Sequence, residues 1–209
     1  MAFVVFILVR AFLVEAFKIP SASMEGTLLA GDFLLVNKLV YGAEVPIVGT
    51  RIPRVGDPRR GDVVIFQWPR DLSKNFVKRV VGAPGDTLSM RDGTLHLNGS
   101  PQQERFVHHV AVRDRYETDF GWQAGHLARR IADYRPTRDN WGPIIVPSGN
   151  YFVLGDNREN SLDSRYWGFV PDSLIRGQPL VVYYSFNSEN TPSGFFSRVR
   201  WNRMGSLVQ

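Results

Sequence analysis

The sequence predicts a mainly β protein: an antiparallel β-sheet or barrel-like domain, preceded by an N-terminal membrane helix and interrupted by a small inserted cap subdomain. Three observations carry this expectation. Beyond residue 20 the apolar residues come in short or alternating runs set off by Gly, Pro and Asp. Asp92-Gly93 stands between alternating residues in "TLSMRDGTLHLN" (87–98), the pattern of a tight hairpin. No long stretch with a 3.6-residue apolar period follows residue 20, which favours antiparallel strands over helices.

In chain order, residues 1–17, "MAFVVFILVRAFLVEAF", carry only Arg10 and Glu15 as charges. As a helix they would span roughly 25 Å, slightly short of a ~30 Å hydrocarbon core. The segment therefore reads as a membrane anchor, lying near the interface or forming the end of a longer span. A cleaved secretory signal and a buried core helix are the rivals. The lack of a basic n-region and the two interrupting charges weigh against the first. The expected strands are 32–41 "DFLLVNKLVY", 62–68 "DVVIFQW", 76–81 "FVKRVV", the 87–98 hairpin, 151–154 "YFVL" and 180–186 "LVVYYSF". Residues 100–142 are polar, rich in Arg and His and weakly periodic, and read as the inserted cap subdomain. The main β domain is then 18–99 with 143–209.

Composition narrows the chemistry. The chain has 209 residues, 44% hydrophobic and 22% charged, as expected of a globular protein. Its net charge of +5 is spread over Arg59-Arg60, Lys78-Arg79 and Arg129-Arg130, not gathered in one basic run. No nucleic acid is therefore expected as a partner, and an anionic membrane surface fits the charge equally well. The absence of cysteine excludes disulfides, thiol nucleophiles and thiolate metal sites.

Behind the apolar segment, "IPSASMEGTLL" (19–29) holds two serines one residue apart, Ser21 and Ser23. A serine hydroxyl attacks a carbonyl usefully only when a base takes its proton. The histidines, His96, His108, His109 and His126, all lie in the hairpin or the insertion and read as surface imidazoles. Lysine is the other candidate base. In a strand at 76–81 the two-residue period puts Lys78 beside Phe76 and Val80, and Arg79 on the other side. Burial lowers a lysine's pKa and supplies a neutral amine, which arginine cannot become. Taken alone, Lys78 reads as an exposed or ion-paired strand lysine. A third stretch, 155–171 "GDNRENSLDSRYWGFVP", packs Asp156, Asn157, Ser161, Asp163, Ser164 and Arg165 together, a density that by itself also suits an ordered turn network.

"SASM", "KRVVGAPGD" and "GDNRENSLDSRYWGFVP", in that order behind an apolar segment, closely resemble the type I signal peptidases, membrane-bound serine proteases with a Ser/Lys dyad. The likeness covers about 1–99 and 143–186, and weakly the tail "SRVRWNRMG". It implies Ser23 as nucleophile and Lys78 as general base. It implies an oxyanion hole from the Ser21 hydroxyl and the Ser23 backbone, with Ser161, Asp163 and Arg165 in support. Apolar pockets for small side chains would come from Phe17, Ile19, Pro20, Leu28, Phe76 and Val77. No metal and no organic cofactor is implied. The partners implied are signal peptides of secretory preproteins, cut after small-x-small motifs, and the phospholipid membrane, with the main domain on the extracytoplasmic side; the oligomeric state is left open. The chain departs from the family pattern in Gly26, where proline is common, and in Glu159, where aspartate is usual. A glycine in place of proline is expected to loosen the turn after Ser23 by ~0.5–1 kcal/mol of backbone entropy. A binding domain that has kept the fold but lost its activity would predict erosion at Ser23 or Lys78, and neither is eroded.

Overall fold

The structure, a computed structural model, describes residues 14–42, 53–107, 118–187 and 195–208. Its architecture is mainly β, as the sequence predicts. Among the described residues eleven strands form two antiparallel sheets: β1 (Val14–Lys18), β2 (Asp32–Asn37), β3 (Val63–Trp68), β4 (Asp71–Gly82), β5 (Thr87–Arg91), β6 (Thr94–Leu97), β7 (Ser100–Pro101), β8 (Trp141–Ile145), β9 (Asn150–Leu154), β10 (Val170–Pro171) and β11 (Ile175–Ser185). The larger sheet runs β1-β2-β11-β3-β4-β9-β10 and the smaller β7-β6-β5-β8.

Local chemistry explains most of these elements. Asp92 and Gly93 both adopt positive φ, 46° and 76°, which a type I′ turn requires, and they close the β5–β6 hairpin. In β3 the run "VVIF" is buried on both faces: Val63 and Ile65 pack into one core cluster, Val64 and Phe66 into another. That is why β3 reads as a continuous apolar run, not an alternating one. A third cluster under the smaller sheet gathers Leu88, Met90, Phe120, Trp141, Ile144 and Phe152.

One expectation is corrected at the N-terminus. Residues 14–17, assigned by sequence to a membrane helix, form strand β1, which pairs along its length with β2 from Val14↔Asn37 to Lys18↔Phe33. An apolar stretch satisfies its backbone as helix or strand according to the partner available, and here β2 supplies the ladder. Residues 1–13 of the expected anchor lie outside the described residues. Among the described residues no helix is long and apolar enough to cross a membrane. Ser100–Pro101 and Trp141, at the ends of the expected insertion, belong to β7 and β8 of the smaller sheet.

Three connections position the candidate site. The β1–β2 connection carries Ser21 and Ser23, β4 carries Lys78, and the chain leaving β9 carries the Asp- and Arg-rich motif into a 3-10 turn at Arg158–Asn160 and the short helix α1 (Ser164–Trp167). Asp163 caps α1, its carboxylate accepting the Arg165 backbone N–H at 3.2 Å.

Candidate active site

The connection after β1 is a compact turn: Glu25 N–H donates to Ala22 O at 3.0 Å, and Leu28 N–H to Met24 O at 2.8 Å. It leaves Ser21 exposed and buries Ser23. The two hydroxyl oxygens are 3.4 Å apart. Lys78, only 4% exposed, points its ammonium at Ser23, with Nζ 2.6 Å from Ser23 Oγ and 3.0 Å from Val77 O. The same Nζ lies 5.4 Å from the centre of the Phe76 ring.

Among the described residues no carboxylate hydrogen-bonds Lys78, and its pKa reflects that. Burial pushes the amine down, Asp163 and Asp156 pull it partly back, Arg165 lowers it further, and the result is about 8 against an ordinary 10.5. Both carboxylates are engaged elsewhere. Asp163 grips Arg165 through two hydrogen bonds of 2.9 and 2.8 Å and also accepts the Gly155 N–H at 3.1 Å. Burial opposes the Asp163 charge, but the guanidinium beside it wins and holds the carboxyl below its usual range. Asp156 binds Arg79 in the same two-pronged way, at 2.9 and 2.8 Å, and accepts the Thr27 hydroxyl at 2.6 Å.

Gly155 sits where the motif touches the serine turn. A Cβ on it would collide with Ser161 Oγ and with the carbonyl of Ser23, so only glycine lets the two segments close. The neighbouring Asn157 N–H donates to that same Ser23 carbonyl at 3.2 Å. Ser161 is buried against this contact, and its hydroxyl helps hold the Asp163 carboxyl down.

A cleft of about 280 Å³ opens over the pair, walled by Phe17, Ile19, Pro20, Phe76 and Val77 together with Ser21, Ser23 and Lys78. Of the apolar residues expected from sequence, Leu28 alone is absent from it. Closure of the turn onto Met24 carries Leu28 into the core with Leu34, Val36 and Val182, fully buried. Four residues the sequence reading did not single out also line the cleft: Met24, Asn75, Asn160 and Leu162. Met24 directly follows Ser23, and Asn160 and Leu162 flank Ser161, so their positions beside motif residues were the available signal. His96 lies in β6 and His126 in the 3-10 turn at Thr118–His126; neither lines the cleft. His108 and His109 lie outside the described residues.

Gly26 has φ 109°, a conformation closed to proline. The expectation that glycine merely loosens a turn suited to proline is therefore corrected: this turn takes a shape that proline cannot.

Chemically, a buried amine depressed to about 8 and bonded to a hydroxyl is a pair able to move a proton from oxygen to nitrogen near neutral pH. The chain is similar to known proteins along most of its length. The family described as "Signal peptidase, peptidase S26" matches residues 1–184. A signal peptidase I of Pseudomonas aeruginosa is 42% identical over 217 aligned residues, covering 94% of this chain and 74% of the relative. One from Pseudomonas fluorescens is 41% identical, covering 88% and 69%, and one from Aquifex aeolicus is 32% identical, covering 85% and 78%. A crystal structure of a signal peptidase I from Enterococcus faecalis aligns with 58% of this chain and 96% of its own, at 32% identity and a TM-score of 0.39.

Proposed function

The chain belongs to the signal peptidase family, peptidase S26, serine proteases that remove signal peptides, and on that premise we propose that it cuts by a Ser23/Lys78 dyad. The observation that carries this reading is the 2.6 Å contact between Lys78 Nζ and Ser23 Oγ at the base of an apolar cleft. Neutral Lys78 takes the Ser23 proton while Oγ bonds to the carbonyl carbon at the end of the signal peptide. The developing oxyanion receives hydrogen bonds from the Ser21 hydroxyl and the Ser23 backbone N–H. Lys78 then gives its proton to the leaving amine as the peptide bond breaks. It next takes one from the water that attacks the acyl ester and returns it to Ser23 Oγ as the ester bond breaks, which releases the signal peptide and restores both groups.

Phe17, Ile19, Pro20, Phe76 and Val77 shape shallow subsites that accept small side chains and exclude bulky ones, giving cleavage after small-x-small sequences. Asp163 and Arg165 form a neutral buried unit beneath the lysine. Ser161, packed between Gly155 and Asp163, orients it. The enzyme works at the extracytoplasmic face of the cell membrane, anchored by its N-terminal segment.

Incubating the detergent-solubilised protein with a secretory preprotein and identifying the products by mass spectrometry tests this reading. A single cut after a small-x-small sequence is expected. No cleavage, or cleavage that persists in Ser23→Ala, would overturn it.

A further inference from the structure

Segments from the polar stretch between β6 and β8 return to the Asp- and Arg-rich motif from outside the cleft at two points, and to Arg79 of β4 at a third. Glu104, its side chain 12% exposed, accepts a hydrogen bond from Arg158 Nη2 at 2.7 Å. Arg158 is itself 3% exposed; its Nε donates to Gly155 O at 3.2 Å, and its carbonyl accepts Arg165 Nη2 at 2.6 Å. The Phe106 ring lies 3.8 Å from the guanidinium carbon of Arg79. Trp122, in the turn at Thr118–His126, donates its indole N–H to Arg165 O at 2.8 Å. None of these three side chains lines the cleft.

We infer that Glu104, Phe106 and Trp122 form a clamp that positions the dyad: they are positioning residues for the cleavage reaction, and none of the three lines the cleft. The inference rests on the Ser23/Lys78 reading above. Its physical basis is the burial of Arg158. A guanidinium out of water needs a counter-charge with good hydrogen-bond geometry, and Glu104 is that group. Without it the cation is drawn outwards to water and takes its own carbonyl along. That carbonyl holds Arg165, Arg165 holds Asp163, and the Asp163 charge, though not hydrogen-bonded to Lys78, pulls its pKa upwards. The same movement shifts Gly155, which has no free space against Ser161 and the Ser23 carbonyl. Trp122 fixes the other end of the motif by holding the Arg165 carbonyl, the second turn-side anchor of α1. Phe106 covers Arg79, whose partner Asp156 holds Thr27 in the serine turn. The clamp thus reaches both the base and the nucleophile through rigid, hydrogen-bonded links.

The test uses the whole chain in detergent with a preprotein substrate, well below each variant's melting temperature. Glu104→Ala should lower kcat by about 10- to 100-fold, the effect of a small misplacement transmitted to reacting groups, while KM stays within about twofold. Glu104→Gln keeps an acceptor for Arg158 and should recover much of the loss. Trp122→Phe keeps an aromatic ring in place but removes the N–H donor and shortens the side chain, and should lower kcat by a smaller factor in the same way. A kcat equal to wild type in folded Glu104→Ala and Trp122→Phe would overturn the clamp. So would a raised KM at constant kcat, which would make these residues substrate contacts. If Glu104→Ala does not fold, Glu104→Gln and Trp122→Phe decide by the same split. Ser23→Ala and Lys78→Ala, run in parallel, separate the two readings: activity in those variants sinks the dyad, whereas inactive dyad variants beside fully active Glu104 and Trp122 variants sink the clamp alone.

Discussion

On β4 the chain buries two cations side by side, and their surroundings differ in one respect that governs everything else. Arg79, 2% exposed, meets the Asp156 carboxylate in a two-pronged contact and also donates to Gly61 O at 2.6 Å and Thr27 Oγ1 at 3.0 Å. Lys78, 4% exposed, meets a hydroxyl and a carbonyl but, among the described residues, no carboxylate within hydrogen-bond reach. Adjacent strand residues point to opposite faces, so one strand presents a compensated charge to one side and an uncompensated one to the other. A guanidinium cannot shed its proton and must be paired, whereas an ammonium left unpaired responds by losing its proton more easily. The lesson is that the absence of an acid beside Lys78 is as much a feature of the site as the presence of Ser23.

The sharpest way to break this contrast is to remove the reacting groups. Ser23→Ala and Lys78→Ala should each reduce preprotein cleavage by about a thousandfold or more, because neither leaves a nucleophile–base pair. Ser21→Ala should leave measurable turnover; if it abolished cleavage while Ser23→Ala did not, the two serines would have to exchange roles.

Stability should move in the opposite sense on the two sides. Arg79→Met strands Asp156 as an unpaired buried charge and should lower unfolding stability by about 3–5 kcal/mol in urea titrations. Lys78→Met replaces a strained amine with an apolar chain of similar length and should hold or raise stability at pH 7 while ending catalysis. Equal losses in the two variants would mean that Lys78 is a paired structural charge like its neighbour.

The pH dependence follows from the same difference. Between pH about 8 and 10.5 the unfolded chain keeps the Lys78 proton while the folded chain has released it, so unfolding stability rises with pH across that window. The rise attributable to this group is roughly 3 kcal/mol, complete above 10.5 and absent below 8. The advantage of Lys78→Met over wild type should therefore be largest near neutral pH and shrink as the medium becomes alkaline. Cleavage by wild type should rise to a plateau with an apparent pKa near 8. A rate that climbs only around 10.5 would mean that the lysine is solvated.

How much of this was legible in the sequence depends on the range of the interaction. The hairpin at Asp92-Gly93 and the strand character of "VVIF" are local, set by φ preferences and burial, and both were readable. The closeness of Ser23 and Lys78 joins residues far apart in the chain and became readable only through the likeness of three motifs to a family. The partnership of Arg79 with Asp156, and of Arg158 with Glu104, had no local signal, since the partners stand 77 and 54 residues apart in the chain. β1 escaped because an apolar run of mixed branched and aromatic residues satisfies either a helix or a strand until its neighbour is known. Leu28 lies in the core and not in the cleft wall, a placement that proximity to Ser23 in sequence does not fix, because it does not say which way a turn rolls its side chains.

The smallest expected effect concerns Gly26, which stands between the two environments: Ser23 before it meets Lys78, and Thr27 after it meets Asp156. Its φ of 109° lies where a Cβ is strained. Gly26→Ala should therefore lower stability by about 1–2 kcal/mol, with the turn still formed because the contacts on either side hold it. Gly26→Pro brings in the residue common at this point in the family. From sequence alone it promises a stiffer, more stable turn, but a ring locked near φ −65° cannot take this shape. It should melt below Gly26→Ala, and it should reduce kcat more than it raises KM, because Ser23 Oγ is drawn away from Lys78 while the cleft walls stay in place. Melting curves and steady-state kinetics on the two variants check this directly. A Gly26→Pro protein that melts higher than wild type with undiminished kcat would show that the turn has a second backbone solution at negative φ, and that Ser23 reaches Lys78 equally well from it.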